Sequence, residues 1–191
     1  MVQGASALEE TIFPGVGIGK VKLGMTKAQV KTRLGADFLL NATETVAGKR
    51  YVEYGWDYSR WVVTFGQEGR NLRVVQVATD LHDQRTSKGI GFGTTWQRLV
   101  HAYPGGRCGW GNHYSPYGEY VEYLVDGKGG TQTLYSLEML FAGHPPRIVN
   151  YKVIEVRVRR PFEPLDEFGS KRQYRCSDDW RTTDTPDKVA A

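Results

Sequence analysis

The chain contains one short pattern twice, and this repetition limits its fold more than any other sequence feature. The stretch GIGKVKLGMTKAQVKTRLG occupies residues 17–35, and GIGFGTTWQRLVHAYPGG occupies residues 89–106. Aligning the two copies places Thr26 opposite Thr95. In both, the threonine precedes an apolar pattern of helical spacing, and a glycine follows that pattern. We interpret the repeated element as a signal that starts a helix, used once in each half of the chain.

Each copy predicts one helix with defined ends. In the first copy Thr26 and Gln29 match the T-x-x-Q capping box, and Gly35 stands where a helix commonly stops. We therefore expect a helix over residues 26–34. In the second copy the apolar residues recur at the spacing of an amphipathic helix, so we expect another helix over residues 95–103.

Segments of alternating apolar and polar residues follow each predicted helix. This alternation, interrupted by Gly-rich polar turns, is typical of antiparallel strands joined by hairpins. The predicted strands of the first half cover residues 49–58, 60–65 and 72–79, and those of the second half cover 118–127, 133–141 and 148–159.

The repeated order predicts an α+β fold of two tandem units. We expect each unit to contain one helix packed on a three- to four-stranded antiparallel sheet. The predicted division of the chain is an N-terminal segment at 1–16, a first unit at 17–80, a linker at 81–88, a second unit at 89–160 and an irregular tail at 161–191.

Composition excludes several classes of protein. The net charge is only +4, and basic residues alternate with acidic ones, which gives no case for nucleic acid. No apolar run is long enough to span a bilayer. The first residues lack the basic start and apolar core of a signal peptide. We therefore expect either a cytosolic protein or one whose signal segment has been removed.

The sequence offers no motif for a cofactor or a metal ion. The stretch GVGIGK at residues 15–20 lacks the spacing of a phosphate-binding loop, so we interpret its glycines as turn or strand residues. Cys108 and Cys176 have no further ligands at metal spacing, so a disulfide bond fits better than a zinc site. Two separate structural thiols are the other interpretation. We predict neither cofactor nor metal.

Residues 17–35 resemble the opening of a bacterial envelope superfamily. The matching residues are Val21, Leu23–Thr26, Gln29–Val30 and Leu34–Gly35, followed by aromatic strands. The superfamily includes the small outer-membrane assembly lipoproteins and the secreted β-lactamase-inhibitory proteins, which hold two helix-plus-sheet units in tandem. The resemblance implies a similar fold and an extracellular or periplasmic location. It also implies that a concave, aromatic-lined sheet grips another protein.

Aromatic residues are the strongest indication of a binding surface. The segment CGWGNHYSPYGEY (residues 108–120) has the Gly, Tyr, Asn and Ser content of a recognition loop, although packing in the core is the other interpretation of each aromatic side chain. The predicted partner is another protein or an envelope component, bound by a monomer. The candidate binding residues are Trp56, Tyr58, Trp110, Tyr114 and Tyr117.

An enzymatic function is the alternative. The chain has no G-x-S-x-G motif, and its serines have no histidine nearby in sequence. A small envelope hydrolase with a site near His82 or His113 is the form that an enzyme would take here. We predict a non-catalytic protein, because the polar residues around His82 are typical of a solvated connection.

Overall fold

Antiparallel β-strands form most of this protein. The structure, a computed structural model, describes residues 11–56, 60–111, 120–142, 147–160 and 174–175. These ranges contain two α-helices, α1 (Lys27–Leu34) and α2 (Trp96–Ala102), and a short 3-10 helix (Lys128–Gly130). The strands are β1 (Ile12–Phe13), β2 (Gly17–Ile18), β3 (Val21–Lys22), β4 (Phe38–Val46), β5 (Lys49–Trp56), β6 (Trp61–Glu68), β7 (Asn71–Thr79), β8 (Arg107–Gly111), β9 (Tyr120–Asp126), β10 (Gln132–Ala142), β11 (Arg147–Arg159) and β12 (Tyr174–Arg175).

The predicted fold class is wrong, because the strands of both halves belong to one continuous sheet. Strands β4 to β12 form a nine-stranded antiparallel sheet in the order β12-β8-β9-β10-β11-β7-β6-β5-β4. Strands β7 and β11 join its two halves through register pairs from Val156 with Thr79 to Arg159 with Gln76. This pairing removes two exposed edges that separate units would carry. The protein is therefore mainly β, with two short helices against a large sheet.

The predicted helices and the six predicted strands are present. Helix α1 has the predicted capping box: the Gln29 N–H donates to Thr26 Oγ1 at 3.2 Å, and the Thr26 N–H donates to Gln29 Oε1 at 2.8 Å. Helix α2 begins after Thr95, whose side chain makes no capping hydrogen bond. Six strands were not predicted: β1–β3, β4, β8 and β12. Of these, β8 includes the first part of the segment that we expected to be a loop.

The two Gly–Thr stretches make the same contact with the sheet. The Gly24 N–H donates to Val74 O at 2.8 Å, and the Val74 N–H donates back to Met25 O at 2.8 Å. In the second half, Gly93 donates to Val153 O at 2.7 Å, and Val153 donates to Thr94 O at 2.9 Å. Both glycines have a positive φ, which glycine adopts without steric cost. The repeated sequence thus encodes a turn that pins each helix to the sheet.

Strands β1–β3 form a small antiparallel sheet that also packs on the large one. Ile12, Ile18 and Val21 are fully buried in the main core. The N–H groups of Thr11 and Ile12 both donate to Arg85 O at 2.8 Å, so the segment predicted as a linker is anchored to this sheet.

The main core lies on one face of the large sheet, which we call the first face. Val30 of α1 and Leu99 of α2 are fully buried there against strand residues such as Phe65 and Tyr135. These strand residues alternate along the sequence, as the period of a half-buried strand requires. The helices and the small sheet therefore cover the first face.

Burial of Tyr135 predicts loss of stability in alkali. Burial, helped by the neighbouring Tyr103 and Tyr123, raises the pKa of Tyr135 well above its usual 10.0. Above about pH 10 the unfolded chain releases this proton and the folded chain keeps it, so the free energy of unfolding falls by about 1.4 kcal/mol per pH unit. We expect denaturant titrations of the Tyr135→Phe variant to show a correspondingly shallower decline. Equal slopes in both proteins would contradict this account.

Candidate functional site

The candidate site lies on the opposite side of the large sheet, which we call the second face. The apolar residues Leu124 and Leu134 are register partners there, and they form a cluster separate from the main core. The helices and the small sheet contribute their buried side chains to the main core instead. Leu124 and Leu134 are nevertheless only 1% exposed, whereas Glu53 and Glu155 of the same face are partly exposed.

A row of polar side chains crosses six strands of the second face. Each member is the register partner of the next, from β5 through β6, β7, β11 and β10 to β9. Neighbouring members are hydrogen-bonded at several points: Thr64 donates to Glu53 at 3.4 Å, and Gln76 donates to Thr64 at 3.5 Å. The row consists of Glu53, Thr64, Gln76, Arg159, Gln132 and Asp126.

Much of this row is buried. Thr64, Gln76 and Arg159 are exposed by only 2%, 7% and 3%. Arg159 donates through Nε to Gln132 Oε1 at 3.2 Å. Burial of polar groups is costly unless they are hydrogen-bonded, and these contacts meet that need in part. The row is therefore a largely buried, hydrogen-bonded line of polar side chains within the sheet.

A guanidinium surrounded by carboxylates lies beside this row, and we call the group the carboxylate cluster. Its members are Arg157, Glu155, Glu122 and Glu53. Arg157 forms an ion pair with Glu155, and their side chains are 18% and 30% exposed. Burial alone would lower the pKa of Arg157, but Glu155, Glu122 and Glu53 together raise it. The cluster thus places three carboxylates around the Arg157 guanidinium, and Arg159 lies two residues along the same strand.

Ser136 lies between two of these carboxylates. It is the register partner of Glu155 on one side and of Glu122 on the other. Ser136 and Glu122 are both 4% exposed. Within the part of the chain that the structure describes, the Ser136 hydroxyl has no hydrogen-bond partner. A buried hydroxyl without a partner is uncommon.

Trp56 was predicted to lie on the binding surface, but the structure places it in the core. It is 3% exposed, and its ring packs 5.1 Å from the ring of Phe38. Its Nε1 donates to Gly35 O at 3.1 Å, which joins the end of α1 to the sheet. Because Trp56 shares the first face with Tyr54, strand alternation directs it away from the second face. Trp56 therefore has a structural role.

The other candidate aromatic residues fall mainly outside the described residues. This holds for Tyr58, Tyr114 and Tyr117. The backbone of Trp110 lies in β8 opposite Val121, whereas its side chain is outside the described part. The strand ends that precede the segments 57–59 and 112–119 lie at the same end of the sheet, because β5 and β8 both run toward it.

The candidate disulfide is described at one end only. Cys108 is fully buried in β8 and is the register partner of Tyr174 in β12. Cys176 follows Tyr174 by two residues and lies outside the described residues. The pairing of β12 with β8 thus brings the chain close to Cys108 just before the second cysteine.

The region of the predicted alternative site shows no convergence of catalytic groups among the described residues. The exposed His82 ring lies edge-on to Phe92, with centroids 3.9 Å apart, and His113 is outside the described residues. In the described ranges no three His, Cys, Asp or Glu residues are grouped so as to hold a metal ion. The hydrolase remains an untested alternative.

The sequence contained a signal for the second face, but we did not interpret it as a candidate site. Glu53, Glu122, Glu155 and Arg157 alternate with apolar residues in their strands, which is the pattern of solvent-facing positions. That pattern identifies which residues share a face. It does not show that strands 79 residues apart, such as those holding Ala78 and Arg157, are neighbours; that pairing comes from the structure.

Comparison with known proteins leaves the chain without an assigned family. No family model matches it, and no curated protein matches it. Among solved structures, it is similar to the crystal structure of the uncharacterized protein YfeY from Escherichia coli, with a TM-score of 0.45 and 18% identity over 77% of this chain and 97% of that one. A likeness this distant carries no argument. In the described ranges, no helix has the length and hydropathy needed to cross a membrane.

Proposed function

We propose that this is a non-catalytic, exported binding protein whose partner docks on the second face of the large sheet. The carboxylate cluster is the observation that carries the proposal. If the second face only stabilised the fold, apolar residues would suit it better, because buried ion pairs contribute little stability for their cost of desolvation. Charged groups held on a sheet face are typical of recognition, since they select one partner among many.

The charge of the cluster selects the chemistry of the partner. Glu155 and Glu53 are partly exposed, and they accompany the more deeply buried Glu122. Because Glu53 and Glu155 are the partly exposed carboxylates of the cluster, we expect the partner to contact them with a lysine or arginine side chain.

The predicted aromatic residues fit this proposal as a second part of the surface. The strand ends that precede the segments carrying Tyr58, Tyr114 and Tyr117 lie at one end of the sheet, on β5 and β8, which are six inter-strand spacings apart. This separation is about 29 Å. It suits a protein partner, because a stable protein interface typically buries about 800 Å² on each side.

A disulfide bond between Cys108 and Cys176 belongs to the same proposal, because disulfides are typical of exported proteins. Such a bond closes a long loop and is expected to stabilise the fold by about 3–4 kcal/mol. We expect the mass of the protein after alkylation to show no modified cysteine without reductant and two after reduction. Two alkylated thiols in the unreduced, native protein would contradict both the bond and the export.

Charge-removing variants test the binding surface. We expect the double variant Glu53→Gln/Glu155→Gln to bind its partner at least about tenfold more weakly, since it removes two carboxylates that face the partner's cation. The partner is first captured from envelope extract by the wild-type protein, identified by mass spectrometry and purified for titration. The matched control is Glu44→Gln/Glu68→Gln, which removes two exposed carboxylates away from the cluster.

Comparing partner binding by the wild-type protein and the two double variants tests the proposal. Partner binding that is lost in the first variant and kept in the control supports docking at the carboxylate cluster. Equal retention by all three proteins would place the partner elsewhere on the molecule. Circular dichroism of each variant verifies that the fold is intact, as expected for replacement of partly exposed charges by isosteric amides.

A further inference from the structure

One corner of the molecule is strongly basic. Residues 17–35 contain five basic residues and no acidic one, and the nearest acid in sequence is Asp37. The whole chain has a net charge of only +4, so this segment carries an excess of positive charge. We call this group the basic corner; it consists of Lys20, Lys22, Lys27, Lys31 and Arg33.

The fold brings these residues together beside the edge strand β4. Arg33 Nη1 donates to Lys20 O at 3.1 Å, which holds the turn after β2 against the end of α1. The Lys27 ammonium lies 3.7 Å from the ring centroid of Tyr54, and that of Lys31 lies 4.8 Å from the centroid of Phe38. Lys27 and Lys31 therefore lie over the start of β4 and the end of β5, and Lys20 and Arg33 adjoin them at the end of α1.

Exposed apolar side chains adjoin the same surface. Of the described residues, those that are large, apolar and exposed are Val16, Leu39 and Leu40, at 48%, 71% and 60%. Leu40 is the register partner of Tyr54, the residue that Lys27 covers. Val16 accepts a backbone hydrogen bond from Leu23 at 3.0 Å, next to Lys22. Leu40 and Val16 thus border the basic corner, and Leu39 precedes Leu40 on the same edge strand with its side chain on the opposite face.

We propose that the basic corner and its leucines dock on the surface of an anionic lipid bilayer. Lysine and arginine side chains near a bilayer are attracted to its negative lipid headgroups. Apolar side chains beside them gain further by entering the boundary between headgroups and acyl chains. The positive charge and the exposed leucines therefore both favour the same binding partner, an anionic lipid bilayer. This inference does not rest on the carboxylate cluster, which lies on another surface.

The edge strand also allows a different occupant. Strand β4 is an outer strand of the nine-stranded sheet, and a second copy of the chain could pair with it. Such pairing accounts for the exposed leucines but gives no role to the basic residues. It also places like charges from two copies near each other. The bilayer is therefore the better match, and self-association is an outcome of the test.

Flotation with lipid vesicles tests the inference on the whole chain. We expect the protein to bind vesicles made of equal parts phosphatidylglycerol and phosphatidylcholine, and to bind pure phosphatidylcholine far more weakly. Lys20→Gln/Lys22→Gln should lower the partition coefficient about 25-fold, since each basic residue near the surface contributes about fivefold. Leu39→Ser/Leu40→Ser should lower it at least about tenfold.

Two controls make the result specific. Lys128→Gln/Lys152→Gln removes two exposed charges from the other half of the chain, and its binding should stay within about twofold of wild type. Glu53→Gln/Glu155→Gln should keep vesicle binding, which separates this inference from the proposed function. Absence of binding, equal binding to both lipids or an equal loss in the lysine control would overturn the inference. A dimer that Leu39→Ser/Leu40→Ser dissolves in sedimentation would also overturn it.

Discussion

Replacement of Trp56 by alanine is expected to lower the free energy of unfolding by about 3–5 kcal/mol. The side chain is 3% exposed and fills the space between Phe38, Tyr54 and the end of α1. Alanine would leave a cavity and would free the Gly35 carbonyl from its hydrogen bond. Urea titration followed by circular dichroism measures this loss.

A matched control shows whether the loss of stability comes from the burial of Trp56 or would follow removal of any large apolar side chain. Leu40→Ala removes a large apolar side chain that is 60% exposed, so it should change the free energy of unfolding by no more than about 0.5 kcal/mol. A thermal midpoint of Trp56→Ala equal to that of wild type would show that Trp56 is on the surface. That result would restore Trp56 as a binding residue.

Replacement of Arg157 by methionine is expected to cost about 3–5 kcal/mol at neutral pH. The methionine keeps much of the volume but removes the cation that pairs with Glu155 and neutralises Glu122 and Glu53. Three carboxylates would then repel one another on a partly buried surface.

The ion pair between Arg160 and Glu68 provides the control for this prediction. Arg160 is three residues after Arg157, but the side chains of its ion pair are 41% and 45% exposed. Arg160→Met should therefore cost no more than about 1 kcal/mol. Equal effects of Arg157→Met and Arg160→Met would contradict the electrostatic account of the cluster.

Local structure followed from the sequence where local interactions determine it. Thr26 and Gln29 predicted the start of α1, because the capping box lies within four consecutive residues. Val52, Tyr54 and Trp56 were predicted to share one face of their strand, because the strand period is two residues. The structure confirms that Val52 and Trp56 are buried on that face.

Two of the strands that were not predicted, β4 and β8, belong to the large sheet but lack the expected sequence pattern. Strand β4 is an edge strand whose residues are mostly exposed on both sides, so no face selects apolar residues. Strand β8 reads RCGWG, and its glycines are more typical of a turn than of a strand. At Gly106, just before β8, a side chain would collide with the Tyr123 ring, which is one reason for glycine there.

The single sheet and the carboxylate cluster depend on distant pairing that the sequence does not reveal. Arg157 lies opposite Ala78, and Glu53 reaches the same region only because β7 and β11 are joined. Either half of the chain alone is equally compatible with a separate small sheet. The predicted binding surface was based on aromatic residues instead, and aromatic residues such as Trp56 and Tyr135 fill the core on the first face.

Carboxyl footprinting of the free and partner-bound protein tests the central claim most directly. A carbodiimide with glycine ethyl ester labels accessible carboxylates, and mass spectrometry of peptides locates the label. The account predicts that Glu53 and Glu155 are labelled in the free protein and protected in the complex, while Glu44 and Glu68 are labelled equally in both. Unchanged labelling of Glu53 and Glu155 on binding, with protection elsewhere, would show that the partner does not dock on the second face.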